Sequence, residues 1–175
     1  MRMRLIALPL LASACLLGCA PSSIPWGPGQ TQATLRPLRG GYGTGTLALE
    51  AKGRLVRISG TLEGLAPGVH GLHIHARSDC AGQAASPTDP HFNPLGKRHG
   101  DPSRPDHHAG DLPMLVAGQN GQAKYDVLLD GLRLTSGPDG ILGRAIVVTA
   151  GPDDHTSQPS GNSGPGVACG LIERR

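Results

Sequence analysis

Hydrophobic and polar residues alternate with a period of two along two clear stretches of the chain, residues 56–62 and 124–130. Such alternation is typical of β-strands that bury one face. Further short apolar segments, which we also interpret as strands, lie at residues 45–50, 69–75, 113–117, 143–150 and 167–172. The pattern therefore predicts an all-β domain of about seven or eight strands, arranged as a sandwich or a Greek-key barrel.

Two stretches between the predicted strands, residues 76–112 and 150–166, are far longer than ordinary connections. Loops of more than about 15 residues without their own secondary structure are usually functional or disordered. The composition agrees with short strands and long loops, because the 175 residues include 27 glycines and 16 prolines but only one Trp, two Tyr and one Phe. We therefore expect an aliphatic core and exclude a helical bundle.

The N-terminus carries the features of an export signal. Arg2 and Arg4 precede an apolar run over residues 5–17, which is too short to span a bilayer comfortably. We interpret residues 1–18 as a signal peptide, whose end at Leu16-Leu17-Gly18 followed by Cys19 resembles the bacterial lipobox. In that motif the cysteine is lipidated and becomes the first mature residue. The alternatives are an ordinary signal peptide with an incidental cysteine and an uncleaved anchor.

A proline-rich stretch after the leader, residues 19–33, is predicted to be a flexible tether to a folded domain over residues 34–175. Lipid on Cys19 would attach the chain to a membrane. Ala20 favours the outer membrane of a double-membraned bacterium, with the domain in the periplasm. Without the two arginines of the leader the net charge falls from +3 to +1, so nucleic acid is not an expected partner. We make no prediction of the oligomeric state.

The cysteines fit an exported protein. Cys15 is removed with the leader and Cys19 would carry lipid, so Cys80 and Cys169 are left in the domain. In an oxidising compartment we expect them to form a disulfide, which would close a long loop and suit a small core that is poor in aromatics. The alternative is two free thiols, which export disfavours.

Histidines supply the candidate chemistry. His73 and His75 are two residues apart on a predicted strand, so both imidazoles project from one face and can chelate one metal ion. Three further histidines and one carboxylate follow in the pattern H-x7-H-x8-H-x2-D, and they are His91, His99, His108 and Asp111. Three imidazoles and a carboxylate form a complete tetrahedral set for zinc. The alternative is a solvated, histidine-rich loop.

Several motifs together resemble the copper/zinc superoxide dismutase family over about residues 33–173. They are GLHIH at 71–75, HFNP at 91–94, HAGDL at 108–112, GR at 143–144 and ACGLI at 168–172. The resemblance implies an eight-stranded Greek-key barrel, an immunoglobulin-like sandwich, with superoxide as substrate and a disulfide that matches Cys80 and Cys169. It also implies copper on His73 and His75, zinc on the loop set, and His91 as the bridge between the two metals. Asp153 stands where the family keeps a carboxylate that links the two metal sites.

The chain departs from the family at two functional positions. The fourth copper histidine of the family closes the strand after the Gly-Arg pair, and Thr149 stands there in this chain. The family also places an arginine three residues before the second disulfide cysteine, where it guides and holds superoxide, and Gly166 stands there. Residues 150–170 contain no lysine or arginine, so this loop cannot focus an anionic substrate by itself. The resemblance therefore implies an incomplete copper site.

Two functions follow from these features. The first is a dismutase-like envelope lipoprotein that binds zinc, binds copper weakly and has weak or no dismutation. The second is a functional dismutase that converts superoxide to dioxygen and hydrogen peroxide. We favour the first because Thr149 and Gly166 change together while the zinc set is whole, and fold alone does not establish an enzyme. His155 or His107 could supply the missing ligand, although a solvated loop histidine is the simpler interpretation of each.

Overall fold

The computed structural model describes residues 30–77, 79–80 and 90–175. The predicted signal peptide, the lipidation site Cys19 and most of the predicted tether lie outside the described residues. Within the described ranges, no helix is long and apolar enough to span a membrane.

The described residues form an all-β domain of eight strands. Each neighbouring pair is antiparallel, and the spatial order is β5-β4-β7-β8-β1-β2-β3-β6, in which several neighbours are distant in sequence. This order confirms the predicted eight-stranded Greek-key barrel. The strands are β1 Thr31–Pro37, β2 Thr44–Lys52, β3 Leu55–Glu63, β4 Gly68–Ile74, β5 Asp111–Ala117, β6 Ala123–Leu129, β7 Ala145–Thr149 and β8 Gly166–Arg174.

The two end strands of this order, β5 and β6, pack near one another and nearly close the barrel. The Tyr125 hydroxyl on β6 donates a hydrogen bond to the Pro113 carbonyl on β5 at 2.9 Å. The interior is mostly aliphatic, and strand β3 shows the predicted alternation. Ile58 is buried there, whereas Arg57 faces outward and forms a two-pronged pair with the Asp126 carboxylate at 2.7 and 2.6 Å.

The barrel begins earlier than we predict from the sequence. Strand β1 starts at Thr31, inside the stretch that we assign to the tether, and pairs with both β2 and β8. The difference has a physical reason. Thr31 and Gln32 are polar and yet buried, so no alternation of apolar and polar residues marks the start of the strand.

The loop between β4 and β5 is fixed to the barrel where it leaves and where it returns. The Phe92 N–H donates to the Ile74 carbonyl at 2.7 Å, and the Ile74 N–H donates to the Gly110 carbonyl at 2.9 Å. A side chain at Gly110 would collide with the Ile74 carbonyl, so only glycine allows this approach. The Arg144 guanidinium lies 4.1 Å from the centre of the Phe92 ring. These contacts hold both ends of the histidine-bearing loop against β4.

Cys80 and Cys169 form a disulfide, as predicted, with a Cα–Cα distance of 5.7 Å. The bridge joins the loop between β4 and β5 to strand β8. The two cysteines are 89 residues apart in sequence.

Removing this disulfide is expected to be costly. In the chain-entropy model a loop of this length contributes about 4–5 kcal/mol to the free energy of unfolding. We expect the Cys80→Ala, Cys169→Ala double variant to lose that amount in urea unfolding, and the reduced wild-type protein to behave like the variant. A variant whose unfolding free energy is within about 1 kcal/mol of the oxidised wild type would contradict the entropic argument.

Candidate metal centre

Strand β4 brings the first histidines onto the outer face of the barrel. Leu72 and Ile74 point into the core and have no solvent exposure. His73 lies between them in sequence and faces the other way, as a period of two requires. His73 pairs directly with Asp111 of β5, so the two side chains leave the sheet on the same face.

Four buried side chains converge beside this face, namely His91, His99, His108 and Asp111, and one ligand atom from each lies within 4.8 Å of the others. Asp111 Oδ1 is 2.7 Å from His91 Nδ1, 3.0 Å from His99 Nδ1 and 3.4 Å from His108 Nδ1. The buried His108 Nδ1 has no hydrogen-bond partner among the described residues. The structure therefore brings the predicted set together, and these donors could hold a metal ion.

The backbone fixes the orientation of the Asp111 carboxylate. Its Oδ2 accepts hydrogen bonds from the Gly100 N–H at 3.1 Å and the His108 N–H at 2.8 Å. Its Oδ1 is thereby turned toward the three imidazoles. Because the backbone holds Oδ2, Oδ1 is oriented as a ligand before a metal ion binds.

Charge in the cluster suits a divalent cation. Burial would raise the pKa of Asp111, but the surrounding imidazoles of His108, His91 and His99 hold it well below its usual range, so the carboxylate is ionised at neutral pH. Burial lowers the pKa of His91 to about 4, which keeps that ring neutral. Burial acts in the same direction on His99, but the carboxylates of Asp111 and Asp153 outweigh it and raise its pKa to about 9. Binding of a metal ion at His99 should therefore release a proton.

A second group of imidazoles shares His91 with the first. The His73 and His91 rings are stacked with 4.0 Å between their centres, and the His75 ring centre is 5.4 Å from that of His91. His73 Nδ1 is buried and has no hydrogen-bond partner among the described residues. An imidazole nitrogen that is buried and unpaired in this way suits a metal ion, so this group fits a second ion.

Asp153 lies between the two groups. Its Oδ2 accepts a hydrogen bond from His73 Nε2 at 2.6 Å, and its Oδ1 accepts one from His99 Nε2 at 2.9 Å. Burial would raise the pKa of Asp153, but hydrogen bonds from His73 and His99 hold it below its usual range. Since Nε2 contacts Asp153, Nδ1 is the ring nitrogen of His73 that is left to face a metal ion. One carboxylate thus orients a histidine of each group.

The two residues that depart from the family pattern face one another. Thr149 ends strand β7 and pairs directly with Gly166, the first residue of β8. The Thr149 side chain is buried, and its hydroxyl donates to the Gly151 carbonyl at 3.2 Å. Its Oγ1 lies against Gly71, close to the His73 ring. The Thr149 hydroxyl and Gly166, which has no side chain, therefore lie next to each other at this end of β7 and β8.

The other histidines point elsewhere. His155 Nδ1 lies 3.6 Å from Asp153 Oδ1, the oxygen that faces His99 rather than the one that faces His73. His107 Nδ1 contacts the His108 carbonyl at 2.6 Å and lines a separate cavity with Leu95.

His70 projects to the inner side of the sheet. Both its ring nitrogens lie 2.8 Å from backbone carbonyls, those of Thr149 and Ala66. Its contacts are therefore structural, and it does not join either group of imidazoles.

The sequence does not predict two contacts made by the loop between β7 and β8. The Asp153 N–H donates to Met114 Sδ at 3.3 Å, and Gln158 contacts the backbone of His99. The partners are 39 and 59 residues apart in sequence. No local spacing could have identified them.

Comparison with known proteins decides the family. Residues 43–172 match the family model described as copper/zinc superoxide dismutase (SODC). The chain belongs to the copper/zinc superoxide dismutase family. It is 42% identical over 150 residues to superoxide dismutase [Cu-Zn] 2 of Brassica juncea, covering 82% of this chain and 97% of that protein. The solved structure of the clock protein EA4 is 34% identical, covers 85% of this chain and 96% of its own, and superposes with a TM-score of 0.74.

Membership accounts for the two groups of imidazoles. The family binds copper and zinc and acts on superoxide, which matches a centre with two adjoining groups of donors. The cluster around Asp111 and the group around His73 share one histidine, His91.

Proposed function

We propose that the protein is a dismutase-like envelope lipoprotein with a working zinc site and a weakened copper site, in which dismutation is weak or lost. The observation that carries the proposal is the direct pairing of Thr149 with Gly166 beside the otherwise organised histidines. These are the positions at which the family resemblance leads us to expect the fourth copper histidine and the arginine that holds superoxide, and neither residue is present. The buried cluster around Asp111 keeps every donor.

Zinc is the metal that best fits this cluster. Three imidazole nitrogens and one carboxylate oxygen match the ligands and the number that tetrahedral zinc prefers. His91, His99, His108 and Asp111 would hold it. Such a closed set leaves no open position for substrate, so the role of this site is to stabilise the loop between β4 and β5.

Copper would be held by His73, His75 and His91. When bound, it supplies the one-electron exchange with superoxide. Cu(II) prefers a tetragonal set of nitrogen and oxygen donors, and Thr149 offers only a hydroxyl, whose proton already binds the Gly151 carbonyl. Loss of one imidazole therefore weakens the Cu(II) form most. The remaining histidines suit Cu(I), so storage or delivery of copper is consistent with this donor set.

The loop between β7 and β8 does not by itself attract the substrate. Superoxide is an anion, and residues 150–170 contain two aspartates but no lysine or arginine. Asp154 has its pKa lowered to about 2 by hydrogen bonds from Ser157 and Thr156, so it is ionised at neutral pH. The loop that covers the site is therefore acidic, which should slow the approach of an anion.

The place of the protein in the cell follows from the leader. We infer that residues 1–18 are removed, that Cys19 carries lipid, and that the domain faces the periplasm from the outer membrane. The support is the basic and apolar pattern of the leader, with Cys19 at its end. A disulfide between Cys80 and Cys169 is consistent with an oxidising compartment.

The proposal is tested by metal content and activity. We expect the protein from Ala20 onward, purified from copper-replete cells, to carry zinc at close to one per chain and copper well below one. After loading with both metals, it should dismutate superoxide no faster than the same amount of free copper. One tightly held Cu(II) per chain together with rapid dismutation would instead support the functional enzyme.

A further inference from the structure

The loop between β7 and β8 holds His99 by its backbone. Gln158 Oε1 accepts a hydrogen bond from the His99 N–H at 3.0 Å, and Gln158 Nε2 donates one to the His99 carbonyl at 2.9 Å. The side-chain amide thus pairs with both polar groups of residue 99, as a neighbouring strand would. Glutamine can do this because its amide carries a donor and an acceptor side by side.

The same loop also holds the His99 ring. Asp153 Oδ1 accepts the hydrogen bond of His99 Nε2 at 2.9 Å. Gly161 lies against both groups, with φ +71°, and a side chain at this position would collide with Asp153 Oδ1 and His99 Nε2. The remaining ring nitrogen, His99 Nδ1, is left facing Asp111 Oδ1 at 3.0 Å. One loop therefore fixes both the backbone and the ring direction of a candidate ligand that belongs to another loop.

We propose that Gln158 is a positioning residue for His99, and that it couples the order of the loop between β7 and β8 to zinc occupancy. The inference rests on the proposed zinc site. Gln158 does not touch the metal position. It fixes residue 99 so that Nδ1 already points toward the metal position before zinc binds. The entropic cost of ordering this ligand is therefore not part of the free energy of zinc binding.

This role differs from a general contribution to folding. Gln158 is exposed to solvent and lines a cavity of about 460 Å³ with His99 and His155, outside the barrel core. Its loss removes no apolar contact from the barrel interior. Loss of the amide removes two hydrogen bonds from the His99 backbone in either state. We therefore expect it to destabilise the zinc-bound form, which also loses the orientation of a ligand, more than the metal-free domain.

The test compares Gln158→Met with wild type and with Thr156→Ala, each in the protein from Ala20 onward. Methionine has nearly the length of glutamine but lacks its amide. Thr156 lies in the same loop, and its side chain bonds only to Asp154 among the described residues, so it is the matched control. The measurements are zinc transfer to a colorimetric chelator and the melting temperature of the metal-free protein. We expect Gln158→Met to release zinc roughly tenfold faster, in the range found when residues that orient metal ligands are changed.

The metal-free melting temperature of Gln158→Met should fall by a few degrees at most, and that of the zinc-bound form should fall further. Equal zinc release from wild type and Gln158→Met would overturn the inference, and so would equal acceleration in Thr156→Ala. An equal fall in the melting temperatures of the metal-free and zinc-bound forms would assign the residue to folding instead. Gln158→Glu keeps the acceptor for the His99 N–H but loses the donor, so it should lie between wild type and Gln158→Met. A wild-type protein that binds no zinc would contradict the proposed function itself, which distinguishes the two failures.

Discussion

Replacing Asp111 by asparagine is expected to remove zinc from the protein. The Gly100 and His108 N–H groups both point at one carboxylate oxygen, so they would select the amide orientation with its carbonyl toward the backbone. The NH₂ group would then face the three imidazoles, and an NH₂ group cannot coordinate a cation. The substitution keeps the shape of the side chain and its backbone hydrogen bonds. It changes the atom that faces the metal position and removes one negative charge.

The effect on stability should be large. A ligand at a thousand times its dissociation constant stabilises the folded state by about 4 kcal/mol. In a domain of this size that corresponds to a melting temperature higher by roughly 10 °C. We expect Asp111→Asn to lose this increment, so that excess zinc no longer raises its melting temperature in a calorimeter.

Asp130→Asn is the control for the loss of one carboxylate charge. Asp130 is exposed, pairs with Arg54 at 3.3 Å and is not one of the four clustered donors. This variant should keep the full response to zinc. An Asp111→Asn protein that still binds one zinc per chain and melts like wild type would show that Asp111 is not a ligand.

Seven of the eight strands could be predicted because their residues alternate or form short apolar runs. Strand β1 escaped prediction because its first residues, Thr31 and Gln32, are polar and become buried only by pairing with β2 and β8. The alternation rule detects a strand from the contrast between its faces. It fails where a buried face is polar.

The candidate site likewise has features that could be predicted from the sequence and features that could not. The metal-binding pattern from His91 to Asp111 could be predicted because these residue types at this spacing are unusual outside metal sites. Sequence could not show which carboxylate oxygen faces the imidazoles, because two backbone N–H groups decide this in the fold. Nor could it show Gln158, because the conformation of the loop between β7 and β8 depends on contacts with residues far away in sequence.

The pairing of Thr149 with Gly166 leads to the second large expected effect, a gain of activity. We expect Thr149→His combined with Gly166→Arg to raise the dismutation rate of the copper- and zinc-loaded protein by at least a hundredfold over wild type. Once the histidine is in place, the arginine should contribute one to two powers of ten of this gain, since a charge-assisted contact is worth about 1.5–3 kcal/mol. The histidine supplies the nitrogen that Cu(II) needs and should be the precondition for that gain.

The neighbouring geometry allows both changes. Gly166 does not have a positive φ, so its backbone accepts a side chain, and it pairs with residue 149 just past a shift in the register of β7 and β8. Gly71 leaves space beside residue 149 because it has no Cβ.

The two single variants separate the contributions of the histidine and the arginine to the dismutation rate. Gly166→Arg alone should gain little, because an anion guided to a centre with a weakly held copper has no redox partner. Thr149→His alone should bind one Cu(II) per chain, with nitrogen hyperfine structure in its electron paramagnetic resonance spectrum. If wild type dismutates within about tenfold of the double variant, then another group completes the copper site and the protein is an enzyme as it stands.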